Sequence, residues 1–308
     1  MDTLRIATRE SQLALWQARH VAAVLSAAHI DLEVELVPMT TRGDQWLSAP
    51  LSEVGGKGLF IKELEVAMLE GRADLAVHSM KDVPAVMPDG FELAAIGHRA
   101  DARDALVGAG VTDLDSLPQG ARVGSSSLRR QAQLRRLRAD LEILPVRGNV
   151  NTRLAKLDAG EFDALILAAA GLDRLGFSER IAGHLSLAES LPAAGQGALG
   201  IECRAGDGDV LKRLAVFDEP AVSTCVRAER LVSEALEASC STPLAAYCVQ
   251  DSDGAYRLEA RLASVDGVRM ITASGHGPDW SSVGREVAEE LLSQGAQALL
   301  DELEALSG

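Results

Sequence analysis

The chain has 308 residues with 47% hydrophobic side chains, enough for two or three domains with substantial cores, and its 3% aromatics leave Leu, Val and Ala to fill them. A net charge of -15 and a pI near 4.9 oppose binding to nucleic acid or to an anionic membrane surface, because the overall field repels both. No apolar run reaches the length of a membrane span, and Leu4-Arg5-Ile6-Ala7 reads as a strand, not as a signal-peptide core, so a cytoplasmic protein is expected.

Cys203, Cys225, Cys240 and Cys248 show no C-x-x-C spacing, and a reducing compartment makes structural disulfides unexpected. His20, His29, His78, His98, His184 and His276 are scattered without metal-ligand spacing, so no metal site is expected.

Leu4–Thr8 reads as a strand, and Ser11 opens a helix that can bury Leu13, Leu15, Trp16 and Val21. Arg9 and Ser11 sit between them, where the free N–H groups of a helix amino terminus favour an anion; a plain helix cap is an equal reading. Glu33–Met39 alternates as a second strand. The polar connection Thr40–Gly58 contains Gly55-Gly56-Lys57-Gly58 but lacks the hydroxyl residue and preceding strand of a phosphate loop, and it reads as a mobile lid. Leu59–Leu69 is the next helix, ended by Gly71. Asp74 then leads into Leu75-Ala76-Val77, an apolar run typical of a buried parallel strand, which ends in His78-Ser79-Met80-Lys81-Asp82-Val83-Pro84. Pro84 biases Val83 towards an extended conformation, so the chain is expected to leave the strand extended and not as an immediate helix, holding Lys81 and Asp82 at the strand's mouth. From this stretch alone, an ordinary strand exit with a solvated Lys/Asp pair reads equally well.

A second block repeats the first. Arg122-Val123-Gly124 is a short strand, Ser125-Ser126-Ser127 a hydroxyl-rich turn and Leu128–Leu137 a helix; later, Gly160-Glu161-Phe162-Asp163 precedes the strand Ala164–Leu167 as Gly71-Arg72-Ala73-Asp74 precedes Leu75–Val77. Matching order over two blocks predicts two similar α/β domains facing each other across a cleft. Between Ala121 and Lys156 there are nine basic residues against two acidic ones, a local balance of +7 that leaves -22 for the remainder. Arg135, Arg136 and Arg138 are expected on the solvated helix face. Arg129 and Arg130 begin the helix beside three serines, where bidentate binding of carboxylate or phosphate is favoured, while Arg147 sits just past the strand Ile143–Val146 and Arg153 one turn into the next helix; together they read as a polyanion-binding small-molecule site.

Gly195–Glu202 reads as a glycine-rich turn into a strand that crosses back to the first domain. Beyond Pro220 a helix over Ala221–Glu237, strands at Tyr247–Gln250, Tyr256–Ser264 and Val268–Ser274, and one long helix over Ser281–Leu306 predict a small α+β domain with an antiparallel sheet. Cys240 lies in the small, polar loop Ala238–Pro243, where a thiolate is accessible as nucleophile or attachment point, whereas Cys203, Cys225 and Cys248 read as buried.

Taken in order, His78–Pro84, Gly124–Gln131, Arg147–Leu154 and the Cys240 loop resemble the porphobilinogen deaminase family, also called hydroxymethylbilane synthase, from Ile6 through at least Tyr247. The resemblance implies two domains of type II periplasmic-binding-protein topology plus a third: residues 1–97 with 198–217, residues 98–197, and residues 218–308. It implies a transferase that condenses four porphobilinogens head to tail into hydroxymethylbilane with release of ammonia, in tetrapyrrole biosynthesis. The reaction starts from one dipyrromethane per chain, held as a thioether on the cysteine that aligns with Cys240. The family commonly has Gly-Gly before that cysteine; here Ala238-Ser239 stand there. By the same match Asp82 is the catalytic carboxylate. Cofactor contacts fall on Lys81, Ser127, Arg129, Arg130 and Arg147; substrate contacts fall on Arg9, Ser11, Arg153, Arg174, Gln196 and, on the covering loop, Lys57. A monomer acting on porphobilinogen, without nucleic acid or membrane, is expected. Two other readings compete: a non-catalytic anion-binding protein, which has no use for Cys240, and a thiol hydrolase, which needs His78 or His184 beside it.

Overall fold

The computed structural model describes residues 2–41 and 61–307. The predicted lid and Lys57 therefore lie outside the described residues. The chain divides into two compact units, Met1–Ala100 with Ala198–Ser223 and Asp101–Gly197 with Thr224–Gly308.

The first unit is built on a five-stranded sheet of β1 (Asp2–Arg9), β2 (Leu32–Met39), β3 (Leu75–Ser79), β4 (Phe91–Gly97) and β10 (Leu199–Arg204), in the order β2-β1-β3-β10-β4. β1 runs parallel to β2 and β3, and β10 is antiparallel to β3 and β4. Helix α1 (Gln12–Ala28) covers one face, where Val21 and Leu25 pack with Leu4, Ile6, Leu75, Val77 and Ile201. Helix α2 (Lys62–Leu69) covers the other, where Leu64 and Met68 meet Ala7 and Ala76. Consecutive residues of β3 thus enter opposite cores, which is why Leu75–Val77 reads as an unbroken apolar run, whereas β2 at the sheet's edge alternates.

The second unit repeats this plan with β5 (Asp104–Val107), β6 (Arg122–Gly124), β7 (Glu142–Leu144), β8 (Ala164–Ala168) and β9 (Gly183–His184), in the order β7-β6-β8-β5-β9. β6 is parallel to β7 and β8, and β5 is antiparallel to β8 and β9. The two copies agree in detail. In the first, Arg5 donates its backbone N–H to Asp74 at 2.8 Å and a guanidinium N–H to the Gly71 carbonyl at 2.7 Å. In the second, Arg122 makes the same pair of bonds to Asp163 at 2.7 Å and Gly160 at 3.1 Å.

Helices α3 (Leu128–Leu137), α4 (Val150–Asp158) and α5 (Ala169–Arg174) belong to the second unit, and α6 (Gly208–Leu214) adds Val210 and Leu214 to the first core. After α7 (Pro220–Ala235), β11 (Leu244–Gln250), β12 (Tyr256–Ala263) and β13 (Met270–Gly277) form an antiparallel meander. Its core joins Val232, Leu258, Val283 and Val287, the last two from α8 (Trp280–Ser293). The single long terminal helix is corrected: α8 stops, Gly295 adopts φ +97°, and α9 (Ala296–Ser307) comes after it. That left-handed residue cannot continue a right-handed helix. The architecture is mixed α/β with two like five-stranded domains and a C-terminal three-stranded antiparallel sheet.

Candidate functional site

In the first unit, Arg9 ends β1 and Lys81–Asp82 lie just past the adjacent parallel β3, since Ile6 and Ala7 pair with Leu75 and Ala76. Ser11 caps α1 by accepting the Ala14 N–H at 3.3 Å, and Gln17, buried on that helix, donates to the Ser79 hydroxyl at 2.7 Å. The expected extended exit from β3 is corrected. Met80–Asp82 form one 3-10 turn, and the extended conformation begins only at Val83, at φ -77° and ψ 131°. Pro84 restricts its immediate predecessor and reaches no further back. Met80 is buried, its N–H donates to the Ala198 carbonyl at 3.0 Å, and a Cβ on Gly200 would fall 2.7 Å from its Sδ. The turn is therefore pinned from below, with Lys81 half-buried and Asp82 exposed. His78 pairs with buried Glu202 at 2.7 Å, a contact within the sheet.

The second unit carries the basic residues. Ser127 caps α3 by accepting the Arg130 N–H at 3.5 Å. Arg129 and Arg130 are buried, not open at the helix terminus: both chelate Asp104, at 2.8 Å and 2.7 Å. Arg129 also donates to the Leu191 carbonyl at 2.6 Å, Arg130 to the Ile166 carbonyl at 3.1 Å, and the Gln196 amide touches all three members of the cluster. Burial alone would raise the Asp104 carboxyl, but the two guanidinium groups outweigh it and hold it well below the usual carboxylate range. The bidentate carboxylate foreseen for this pair is supplied from within the chain. Arg174, mostly buried, donates to the Gly197 carbonyl at 2.7 Å, and burial holds its guanidinium down to about 10.

Arg147 and Arg153 are both half-buried, Arg147 opening the loop before α4: Arg153 Nε donates to the Gly148 carbonyl at 2.8 Å, Gly148 lies at φ +107°, and Asn149 caps α4 through the Thr152 N–H at 2.9 Å. Of the three arginines expected in solvent, only Arg136 is exposed; Arg135 donates to the Val265 carbonyl and Arg138 to the Leu114 carbonyl.

Cys240 is exposed while the other three cysteines are buried, and burial pushes the Cys203 thiol up to about 11. The loop around Cys240 is closed by its neighbours. Ser239 donates its N–H to the Thr242 hydroxyl at 3.0 Å and shares a 2.7 Å bond with the Ser241 hydroxyl, while Ala238 packs against the C-terminal core. Asp104 has no sequence signal: it is the acidic first residue of β5, a strand of four residues.

Two family models match the chain, "Porphobilinogen deaminase, dipyromethane cofactor binding domain" over residues 4–212 and "Porphobilinogen deaminase, C-terminal domain" over residues 223–293. The chain belongs to the porphobilinogen deaminase family. It is 54% identical over 307 residues to the porphobilinogen deaminase of Thiobacillus denitrificans, covering 99% of this chain and 100% of that one. It is also 54% identical over 302 residues to that of Chromobacterium violaceum, covering 97% of each. Among solved structures it is similar to the methionine-binding protein MetQ, with a TM-score of 0.45, 12% identity, and coverage of 74% of this chain and 96% of that one.

The residues present fit a dipyrromethane. A thioether needs one accessible thiol, which Cys240 offers; pyrrole acetates and propionates need cations and N–H donors, which Arg147, Arg153 and the capped amino termini of α3 and α4 offer within the same unit. Among the described residues no helix is long and apolar enough to cross a membrane.

Proposed function

We infer that this enzyme of the porphobilinogen deaminase family works through Asp82 and Cys240. Porphobilinogen loses its amino group as ammonia, with the C–N electron pair, leaving a methylene-pyrrolenine cation. The exposed Asp82 carboxylate, on a turn pinned by Met80, stabilises that cation at the pyrrole N–H and takes part in the proton transfers. Cys240 captures the same cation: a C–S bond forms and the thiol proton leaves to solvent. The bound dipyrromethane supplies the pyrrole carbon to which substrate units are added. Ser127, Lys81, Arg147 and Arg153, with Arg9, Ser11 and Arg174, bind carboxylates of cofactor and substrate. Arg129, Arg130 and Gln196 contribute by holding the α3 amino terminus in place and leaving one net positive charge beneath it.

The observation that carries this reading is a single exposed cysteine beside three buried ones, in a loop its own hydroxyls close. A non-catalytic anion binder has no use for it. Intact mass of the purified protein tests the reading: a dipyrromethane increment is expected on the parent chain and none on Cys240→Ser. An unmodified parent from cells that make porphobilinogen refutes it. The proposal extends to a three-domain division at residues 1–97 with 198–217, 98–197 and 218–308, and to a monomer in the cytoplasm. Its net charge of -15 argues against nucleic acid.

A further inference from the structure

Three contacts join the C-terminal sheet and its β12–β13 turn to helix α3. Gly267, in the β12–β13 turn at φ +75°, lies so close that a Cβ there would fall 2.4 Å from the Ala132 carbonyl oxygen. Arg135 Nη1 donates to the Val265 carbonyl at 2.5 Å. Between these points Gln133, 3% exposed, uses both ends of its amide. Its Oε1 accepts from Arg261 Nη1 at 3.1 Å and from the Leu191 N–H at 2.9 Å. Its Nε2 donates to the Arg129 carbonyl at 3.3 Å and the Leu191 carbonyl at 3.2 Å.

Arg261, on β12, also donates to the Ala188 carbonyl at 2.9 Å, and Glu259 holds its other edge at 2.7 Å. The Leu191 carbonyl that accepts from Gln133 is the one that accepts from the Arg129 guanidinium. One cation on the C-terminal sheet thus fixes the amide that spaces α3 from the segment completing the arginine cluster. A buried amide whose acceptor loses a charged donor finds few substitutes, so the loss is felt by its remaining partners.

We propose that Arg261 is a positioning residue for the anion site at the amino terminus of α3. By fixing Gln133 and Ala188 it sets where Ser127 and the Arg129–Arg130 turn meet the carboxylates of the incoming group. The C-terminal part of the chain then has a second task besides carrying Cys240. This rests on the porphobilinogen deaminase reading above.

The test uses full-length chains produced without a supply of porphobilinogen: the parent, Arg261→Met, Gln133→Met, and Arg257→Met, whose side chain on the same strand pairs with Asp251 instead. Two rates are measured on each: covalent mass gain after adding porphobilinogen, and alkylation of Cys240 by iodoacetamide, a neutral probe that needs no anion site. Loading by Arg261→Met and Gln133→Met should slow about tenfold, the rate equivalent of one hydrogen bond to a charged group. Alkylation should stay within about twofold of the parent, as a positioning role leaves the thiol itself untouched. Arg257→Met should match the parent in both rates. Unchanged loading overturns the proposal, as does a matching fall in both rates, which would mark general damage. If Arg261→Met fails to fold, Gln133→Met carries the same comparison. A parent that gains no mass overturns the enzyme reading and this inference with it; a parent that loads, with variants that load equally, overturns this inference alone.

Discussion

The two five-stranded sheets share strand order, pairing sense and an Arg–Asp–Gly clasp, yet their third strands end differently. β3 runs into one 3-10 turn that exposes Asp82, whereas β8 runs directly into α5, whose Ala169, Ala170 and Leu172 are buried. The second copy instead gathers arginines where β6 gives way to the capped amino terminus of α3. A duplicated scaffold leaves the strand exits free to diverge, because the core depends on the alternating strand residues and not on the segments beyond the strand ends.

The sharpest way to break that contrast is to remove the group that only the first copy carries. Asp82→Ala should lower turnover by at least about a hundredfold, the usual worth of a positioned acid–base group, with far-UV circular dichroism unchanged because the side chain is exposed. Turnover near the parent's would mean the two exits do not differ in chemistry.

Next comes the buried cluster special to the second copy. Asp104→Asn leaves two buried guanidinium groups without their counter-ion and should cost about 3–5 kcal/mol in urea unfolding at pH 7. Because the native carboxyl sits well below its unfolded value, the ion pair's contribution is complete above about pH 4 and declines only as pH falls towards the native value. The gap between parent and variant should therefore be flat from pH 7 to about 4 and shrink below it. A gap that closes at neutral pH would contradict the assignment of charge. A smaller effect is expected at the loop: Arg147→Ala or Arg153→Ala should raise KM for porphobilinogen about tenfold with less change in kcat, and added salt should narrow the difference.

Much of this was legible in the sequence. β3 and β8 announced themselves as apolar runs, β1 as a strand, Ser125–Ser127 as a hydroxyl-rich turn and Cys240 as the cysteine in a polar loop. The fate of Arg129 and Arg130 was not, since their partners Asp104, Ile166, Leu191 and Gln196 come from separate stretches of chain and β5 is too short to signal its own acidic first residue. Local pattern shows that a charge must be compensated; only the fold shows by whom. The break at Gly295 was hidden because apolar residues continue on both sides of it.

The least costly test compares the two clasps that the copies share. Asp74 and Asp163 each accept the backbone N–H and the guanidinium of their arginine, but Asp74 is 14% exposed against 39% for Asp163, and Arg204 lies a further 3.6 Å from Asp74. Water screens the more exposed pair and competes for its hydrogen bonds. Asp163→Asn should therefore shift stability by less than about 1 kcal/mol, and Asp74→Asn by about 1–2 kcal/mol, as read from denaturation midpoints. The order is the informative part, since bond count and donor type are nearly matched. If Asp163→Asn proved the costlier, burial and the added Arg204 could not be what separates the two copies, and the difference would have to lie in the unfolded chain.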